Sequence, residues 1–370
     1  MNLNKNFYIF LTAIICLGQQ VCDAGSLNKN YEIEFIYPVV GQKTHTELAC
    51  EQENYGYQPG MILEKVFKNR PFVQFTCRQT LGDIYTLTYP LKYGSRIISE
   101  GKKGFVLLLS AALLGNVIKG KGPYLYDHPA ENIKAICAGP GKISLFVTFD
   151  PKITHLTQLT GKHVGIAERM DFFQGEAEER PYFGKVMNIY KDVHWVPFGA
   201  KKNMNLLLKN KIDAMLCSFT GCVEMSDQGF LECSIIIPDP ITRILLNSRK
   251  TINFIPFDPL TIKKAYDFRN NLILHPILIK NGAHSSIKKN IWARGNILVL
   301  VGPASIPDNV VEEIIRTIRT YKIKNSKIDK FSTLFPNNPY PFGVPNNNWI
   351  HPGIEKAIKN IGASVRAELR

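Results

Sequence analysis

The chain has 370 residues, 45% of them hydrophobic, which is enough for two packed domains and excludes an intrinsically disordered polymer. Its formal net charge is +14, yet the lysines are spread along the chain and not gathered into a stripe with aromatics, which argues against a nucleic-acid binder. Most of this charge reads as a solvated basic surface.

The N-terminus has the layout of a secretory signal: Lys5, an apolar run from Phe7 to Leu17, then a polar segment ending Cys22-Asp23-Ala24. Cleavage before Gly25 is expected, because the apolar run is too short to span a bilayer comfortably. Of the 8 cysteines, Cys16 and Cys22 leave with the signal. Cys50, Cys77, Cys137, Cys217, Cys222 and Cys233 remain, and an even set in an exported chain suggests disulfides. Cys137 and Cys217 lie in apolar runs and also fit plain buried thiols. No spacing of His and Cys makes a metal site.

Taken in order, residues 31–40 and 72–76 read as strands, with an apolar helix start at 61–67 between them. Thr80-Leu81-Gly82-Asp83 reads as a turn with helix-capping character, and 84–98 as mostly helix. The very apolar run 104–110 suits a central parallel strand, followed by helix at 111–118. Residues 133–137 and 143–149 read as two strands on either side of a Gly139-Pro140-Gly141 break. Ile153 to Ala167 then shows a helical turn closed by Gly161 and a short buried strand from His163. His163 and His194, beside strands, read as core histidines.

A second unit of the same form follows: a helix at 202–209, a Lys211-Ile212-Asp213 turn, and an apolar strand. Strands are expected at 193–197, 234–237, 252–257 and 296–301, with a short helix at 260–268. Helices are expected at 309–321 and 353–361, separated by a Pro- and Asn-rich surface loop at 331–348. Alternation of strand and helix argues an α/β architecture with parallel sheets. There is no nucleophile elbow, no phosphate-gripping glycine loop and no paired carboxylates in an apolar setting, so no enzyme and no cofactor is expected.

Several stretches resemble the TAXI-type solute-binding proteins of TRAP transporters. Leu159-Thr160-Gly161-Lys162-His163-Val164 is similar to that family's Leu-x-Gly-Lys-x-Val strand entry, and Lys211-Ile212-Asp213-Ala214 to its Lys-Ile-Asp-Ala turn. The stretches 254–257, 279–284 and 297–301 follow in the family's order, and Ile350-His351-Pro352-Gly353 is similar to its C-terminal His-Pro-Gly. The family's Thr-Gly-Gly-Ser stretch appears as Thr80-Leu81-Gly82-Asp83, and its Gly-Ser-Gly-Thr loop as Ala167-Glu168-Arg169-Met170, so the pocket is changed while the scaffold is kept.

The resemblance implies a two-lobed type II periplasmic binding protein-like α/β fold with a mostly parallel sheet in each lobe. Its segments would be a signal peptide at 1–24, lobe 1 at 25–142 and 297–370, and lobe 2 at 143–296. A periplasmic monomer is expected, closing on a carboxylate or amino acid and handing it to membrane permease subunits. In that arrangement Arg169 would grip a carboxylate, unless it pairs with Asp171 or Glu168 at the surface. Tyr57, Thr80 and Ser110 would complete the hydrogen bonding, and Asp83 would cap a helix or meet a ligand amine. His284 is counted with them, in the turn before the return strand. Two other roles stay open: a binding protein for an ABC importer or sensor, and a degenerate scaffold serving protein contacts at the cell envelope.

Overall fold

A computed structural model of the chain describes residues 31–39, 63, 66–67, 73–81, 105–111, 114, 118, 132–166, 192–262, 274–325, 332–341, 344 and 346–360. Three parallel strands come first: β1 (Tyr31–Val39), β2 (Val73–Leu81) and β3 (Phe105–Ser110). β1 lies between the other two, in parallel register with each. Val106, Leu107 and Leu108 are all buried, as a continuous apolar run needs when both faces of its strand are covered. Helical positions Leu63, Val66 and Phe67, and then Ala111, Leu114 and Ile118, bury one helix face each. β2 is longer than the 72–76 expected and takes in Thr80 and Leu81, which the sequence reads as a turn.

Two long strands join everything else. β4 (Ile133–Thr148) and β11 (Ile291–Pro303) pair antiparallel from Arg294 opposite Ser144 to Pro303 opposite Ile133. The expected break at Gly139-Pro140-Gly141 is instead a bulge within one strand. Ile297 pairs with Gly141 and Val299 with Ala138, so Gly139 and Pro140 together face Leu298. Pro140 has no N–H to give to a ladder, and a bulge asks for none.

Between them run β5 (His163–Gly165), β6 (His194–Val196), β7 (Ala214–Met225), β8 (Leu231–Pro238), β9 (Asn253–Ile255) and β10 (His275–Ile279). The expected parallel pairing describes β2-β1-β3, β6-β5-β7 and β8-β10. β7 and β8 are joined by the short turn at 226–230, so they can pair only antiparallel. The far half of β7 and all of β10 are absent from the sequence reading.

β11, β10, β8, β7 and β4 close into a ring, since β11 pairs with β10 on one edge and with β4 on the other. The inside of this ring is packed knob against missing side chain. A Cβ on Gly141 would lie 2.3 Å from Val223 Cγ2, and one on Gly221 would lie 2.5 Å from Cys233 Sγ and 2.8 Å from Ile143 Cδ1. On Gly295 it would meet the backbone oxygen of Lys142 at 2.5 Å and Ile277 Cδ1 at 2.6 Å. The described strands thus fall in two sections, β2-β1-β3 on one part of β11 and the ring with β5, β6 and β9 on the other. Only β4 and β11 belong to both, within one mixed α/β fold.

Four helices whose full extent lies among the described residues pack on the sheet: α1 (Gly199–Leu208), α2 (Pro240–Leu246), α3 (Asp308–Asn325) and α4 (Gly353–Asn360). α3 buries Val310, Ile314, Ile315 and Ile318, the face its spacing predicts, and Val311 with them. α2 is missed by the sequence reading, although Asp239 caps it through Thr242 N and Pro240 occupies its first turn. The 331–348 stretch is not simply a surface loop: Leu334, Phe335 and Tyr340 are buried. Its backbone is satisfied from neighbours, with Pro339 O accepting from Ala138 N of β4 at 2.8 Å and Phe335 O accepting from Lys322 Nζ at 2.6 Å.

Cys137, Cys217, Cys222 and Cys233 are buried free thiols, so the expected disulfides do not form among the described cysteines. Burial pushes the Cys137 thiol up to about 12 and the Cys222 thiol to about 11, so both stay protonated and inert. Cys50 and the Cys77 side chain lie outside the described residues.

Two outcomes follow from this packing. Gly295→Ala should destabilise the chain by about 2–3 kcal/mol in urea unfolding, because the backbone oxygen it meets cannot swing aside. Burial also lifts the Asp239 carboxyl to about 6, against the pull of its Thr242 and Ile241 N–H bonds. A raised carboxyl favours folding in its neutral form, so its contribution is full below the ordinary carboxylate range and lost as pH rises through about 6. Asp239→Asn keeps the capping oxygen and removes the charge. The gain in wild-type stability between pH 7 and pH 5 should shrink in the variant by on the order of 1 kcal/mol.

Candidate ligand site at the strand crossing

The Ile153–Ala167 stretch folds locally as its residues dictate. Leu156–Leu159 is a single 3-10 turn with both leucines buried, and Gln158 Oε1 accepts from Thr154 N at 2.7 Å and His155 N at 2.9 Å. Gly161 has φ +72°, the left-handed conformation expected there. The two family-like motifs meet one strand further on. Asp213 Oδ2 accepts from His163 N at 2.8 Å, Asp213 N donates to His163 O at 2.8 Å, and Lys162 Nζ lies 3.6 Å from Asp213 Oδ1. Asp213 therefore stitches the starts of β5 and β7 together. His163 and His194 are not core residues: both are exposed at the starts of β5 and β6, with rings stacked at 4.9 Å.

The carboxyl end of β5 is held by α1. Asn203 Nδ2 donates to Ile166 O at 2.7 Å, and Gly165 must lack a Cβ because one would lie 2.7 Å from Asn203 Cγ. Asn203 is 1% exposed and its Oδ1 has no partner among the described residues. α1 starts directly after β6, with no side-chain cap on its first N–H groups. Phe198 stands exposed at that point, with Lys202 Nζ 3.6 Å from its ring centre.

Strand register shows where these ends lead. β5 runs parallel to β7, with Gly165 opposite Met215, and β7 runs antiparallel to β4. Continuing past Gly165 leads along β7 to Ser218 and Thr220, and along β4 to Ser144 and Lys142. From the other section, β3 ends at Ser110 opposite Leu298, and continuing along β11 leads to Asn296 and Arg294. These two routes meet, because Lys142 pairs with Asn296 and Ser144 with Arg294. In an open α/β sheet, ligands sit outside the carboxyl ends of the strands.

The outer face of the crossing carries Lys142, Ser144, Ser218, Thr220, Arg294 and Asn296, the alternate positions to the ring-facing Gly141, Ile143, Gly221 and Gly295. Lys142 is 9% and Arg294 6% exposed, whereas Ser144, Ser218 and Asn296 are half-buried, so solvent reaches the face. The Arg294 guanidinium lies 5.7 Å from the Phe257 ring centre, and that ring stacks on Phe146 at 5.8 Å. Sequence reasoning missed both cations. The signal was there: Lys142 and Arg294 are single charges inside runs otherwise fit for a buried strand.

Of the residues expected to bind ligand, Thr80 lies near the end of β2 opposite Pro38, and Ser110 ends β3. Both therefore stand at the carboxyl end of the β2-β1-β3 section, two strands apart. His284 is placed elsewhere, in the turn before β11, where its Nδ1 accepts from Ser286 N at 3.2 Å and orders that turn. Tyr57, Asp83 and Arg169 lie outside the described residues. The His-Pro-Gly stretch is a joint of the fold: His351 is 1% exposed, its N donates to Ala135 O of β4 at 2.8 Å, and Gly353 abuts Asp308 of α3, whose Cα would lie 3.0 Å from an added Cβ.

No family model and no curated protein matches the chain. Among solved structures it is similar to a putative periplasmic sulfonate-binding protein, SsuA, of a sulfonate ABC transporter from Methylobacillus flagellatus KT, with 8% identity over 92% of this chain and 98% of that one at a TM-score of 0.45. It is also similar to an R. palustris protein with adipate (13% identity, 90% and 97% covered, TM-score 0.44). A third is MatC from Rhodopseudomonas palustris with bound malate (10% identity, 89% and 98% covered, TM-score 0.41). Likeness at this level carries no argument about ligand or partner.

If Asp213 is a stitch between strands, Asp213→Ala should cost about 1–2 kcal/mol in urea unfolding by removing the acceptor for His163 N. Ligand affinity, read by calorimetry on the folded variant, should stay at the wild-type value.

Proposed function

We propose that the protein is an extracytoplasmic solute-binding protein that captures a small organic anion or amino acid and delivers it to membrane permease subunits. One observation carries the reading: the carboxyl ends of parallel strands in both sheet sections run toward a single crossing of the two long strands the sections share. A ligand lying over that crossing would touch both sections, and closing them on it would bury it. The Gly139-Pro140 bulge is the natural place for β4 to bend during closure. We take lobe 2 as residues 143–296, lobe 1 as 25–142 and 297–370, and residues 1–24 as a cleaved signal that sends the chain to the periplasm as a monomer.

The ordered motifs that resemble TAXI proteins favour a TRAP permease over an ABC importer as the partner. In this reading Thr80, Ser110, Tyr57 and Arg169 line the ligand, with Asp83 capping the following helix or meeting an ammonium group. Among the described residues no helix is long and apolar enough to cross a membrane.

A thermal-shift screen of the purified chain against carboxylates, amino acids, sulfonates and sugars tests the reading, since a bound ligand raises the melting temperature with its occupancy. At least one compound should give a saturable shift of several degrees. A screen without a single hit would leave only the scaffold alternative. For a carboxylate hit, Arg169→Ala should weaken binding by about 2 kcal/mol, about 30-fold in Kd. An unchanged Kd would remove Arg169 from the site.

A further inference from the structure

We propose that His163 and His194, side by side at the starts of β5 and β6, form a surface chelate for an imidazole-preferring divalent transition metal such as Ni(II), Cu(II) or Zn(II). The inference does not rest on the solute-binding reading. The two residues are register partners on neighbouring parallel strands, so their side chains leave the sheet on the same face. Their rings stack with centroids 4.9 Å apart and planes 24° apart. The spacing of histidines in the sequence points to no metal site, because only the pairing of β5 with β6 brings these two together.

Both residues are open to solvent, and the His163 side chain is 58% exposed. His163 Nδ1 lies 3.9 Å from Asp213 Oδ2, an oxygen already fixed by the His163 N–H at 2.8 Å. A carboxylate on this side favours the tautomer with its proton on Nδ1, which leaves the lone pair of Nε2 for a metal. Histidines that bind metals commonly turn their second nitrogen to a carboxylate in this way.

Two imidazole nitrogens on one metal stand about 3 Å apart, given bonds of about 2.0–2.1 Å. Rings stacked at 4.9 Å can tilt to that spacing by rotation about exposed side-chain bonds, with the strands unmoved. Among the described residues no third His, Cys, Asp or Glu completes a metal-holding group, so water fills the remaining positions. Lys162 Nζ, 3.6 Å from Asp213 Oδ1, repels a cation, and the affinity is that of a two-imidazole chelate in water and no more. Nitrogen ligands select Ni(II), Cu(II) and Zn(II) over Mg(II), which prefers oxygen. A metal held there would tie β5 to β6, both only three residues long.

The experiment titrates the untagged full chain by calorimetry with Ni(II), and with Mg(II) as the oxygen-preferring control. It compares wild type, His163→Gln, His194→Gln and His155→Gln, the last at an exposed histidine outside the pair. Circular dichroism checks folding, and His163→Asn and His194→Asn serve where a glutamine variant does not fold. Ni(II) should bind the wild type with a Kd below about 0.1 mM, and Mg(II) should not. His163→Gln and His194→Gln should each weaken Ni(II) about tenfold or more, because one imidazole then binds without its chelating partner. His155→Gln should bind like the wild type.

A wild-type Kd above about 0.1 mM would overturn the assignment. So would wild-type affinity in a folded variant of either His163 or His194, an equal loss in His155→Gln, or equal binding of Mg(II). None of these results bears on the solute-binding reading, which the thermal-shift screen tests separately.

Discussion

The pairing of β4 with β11 is the constraint on which the rest of the structure depends. Each strand is hydrogen-bonded along most of its length to the other, and every remaining part of the described sheet attaches to one of them directly or through an intervening strand. β3 hangs on the later half of β11 and β10 on its earlier half, while β7 and β9 attach to β4. The side chains that face the core from this pair are all apolar and buried, from Ile133 and Ala135 to Val147 on one strand and from Ile291 to Val301 on the other. At ~25 cal/mol per Å² of apolar surface removed from water, a seam of this length is a main source of cohesion.

Closing five strands into a ring stiffens that section. Val223, Ile143, Cys233 and Ile277 reach into a space that exists only because Gly141, Gly221 and Gly295 have no side chains. Such packing tolerates little bending, since interiors repack in jumps and do not deform smoothly. Between the ring and the β2-β1-β3 section, β4 passes through the Gly139-Pro140 bulge, where one strand has two residues for its partner's one. Motion of the sections would concentrate there, where fewer ladder bonds need to change.

The anchoring contacts and the proposed ligand face occupy different ends of the same strands. The starts of β5 and β7 are tied by Asp213, and the C-terminal helix is docked through His351 and Gly353 against β4 and α3. These are the residues in which the chain most resembles a known family, and the structure gives each of them work in holding strands and helices together. The half-buried Ser144, Ser218 and Asn296 of the proposed ligand face sit past the strand ends instead.

What the sequence determined by itself was local. The apolar runs at 105–110 and 296–301, the face of α3 and the left-handed Gly161 follow from side-chain size, period and backbone freedom within a few residues. α2 was also legible through Asp239 and Pro240, had the Pro-Asp-Pro stretch been taken as a cap and not only as the end of a strand. Only the tertiary structure decided that Gly139-Pro140 is a bulge, that β7 turns back to close a ring, and that the 332–341 stretch is buried. It alone brought Lys142 beside Asn296, more than a hundred residues away in the chain. The reason is that strand pairing joins residues far apart in sequence, and neither a partner nor a register is written in the period of one strand alone.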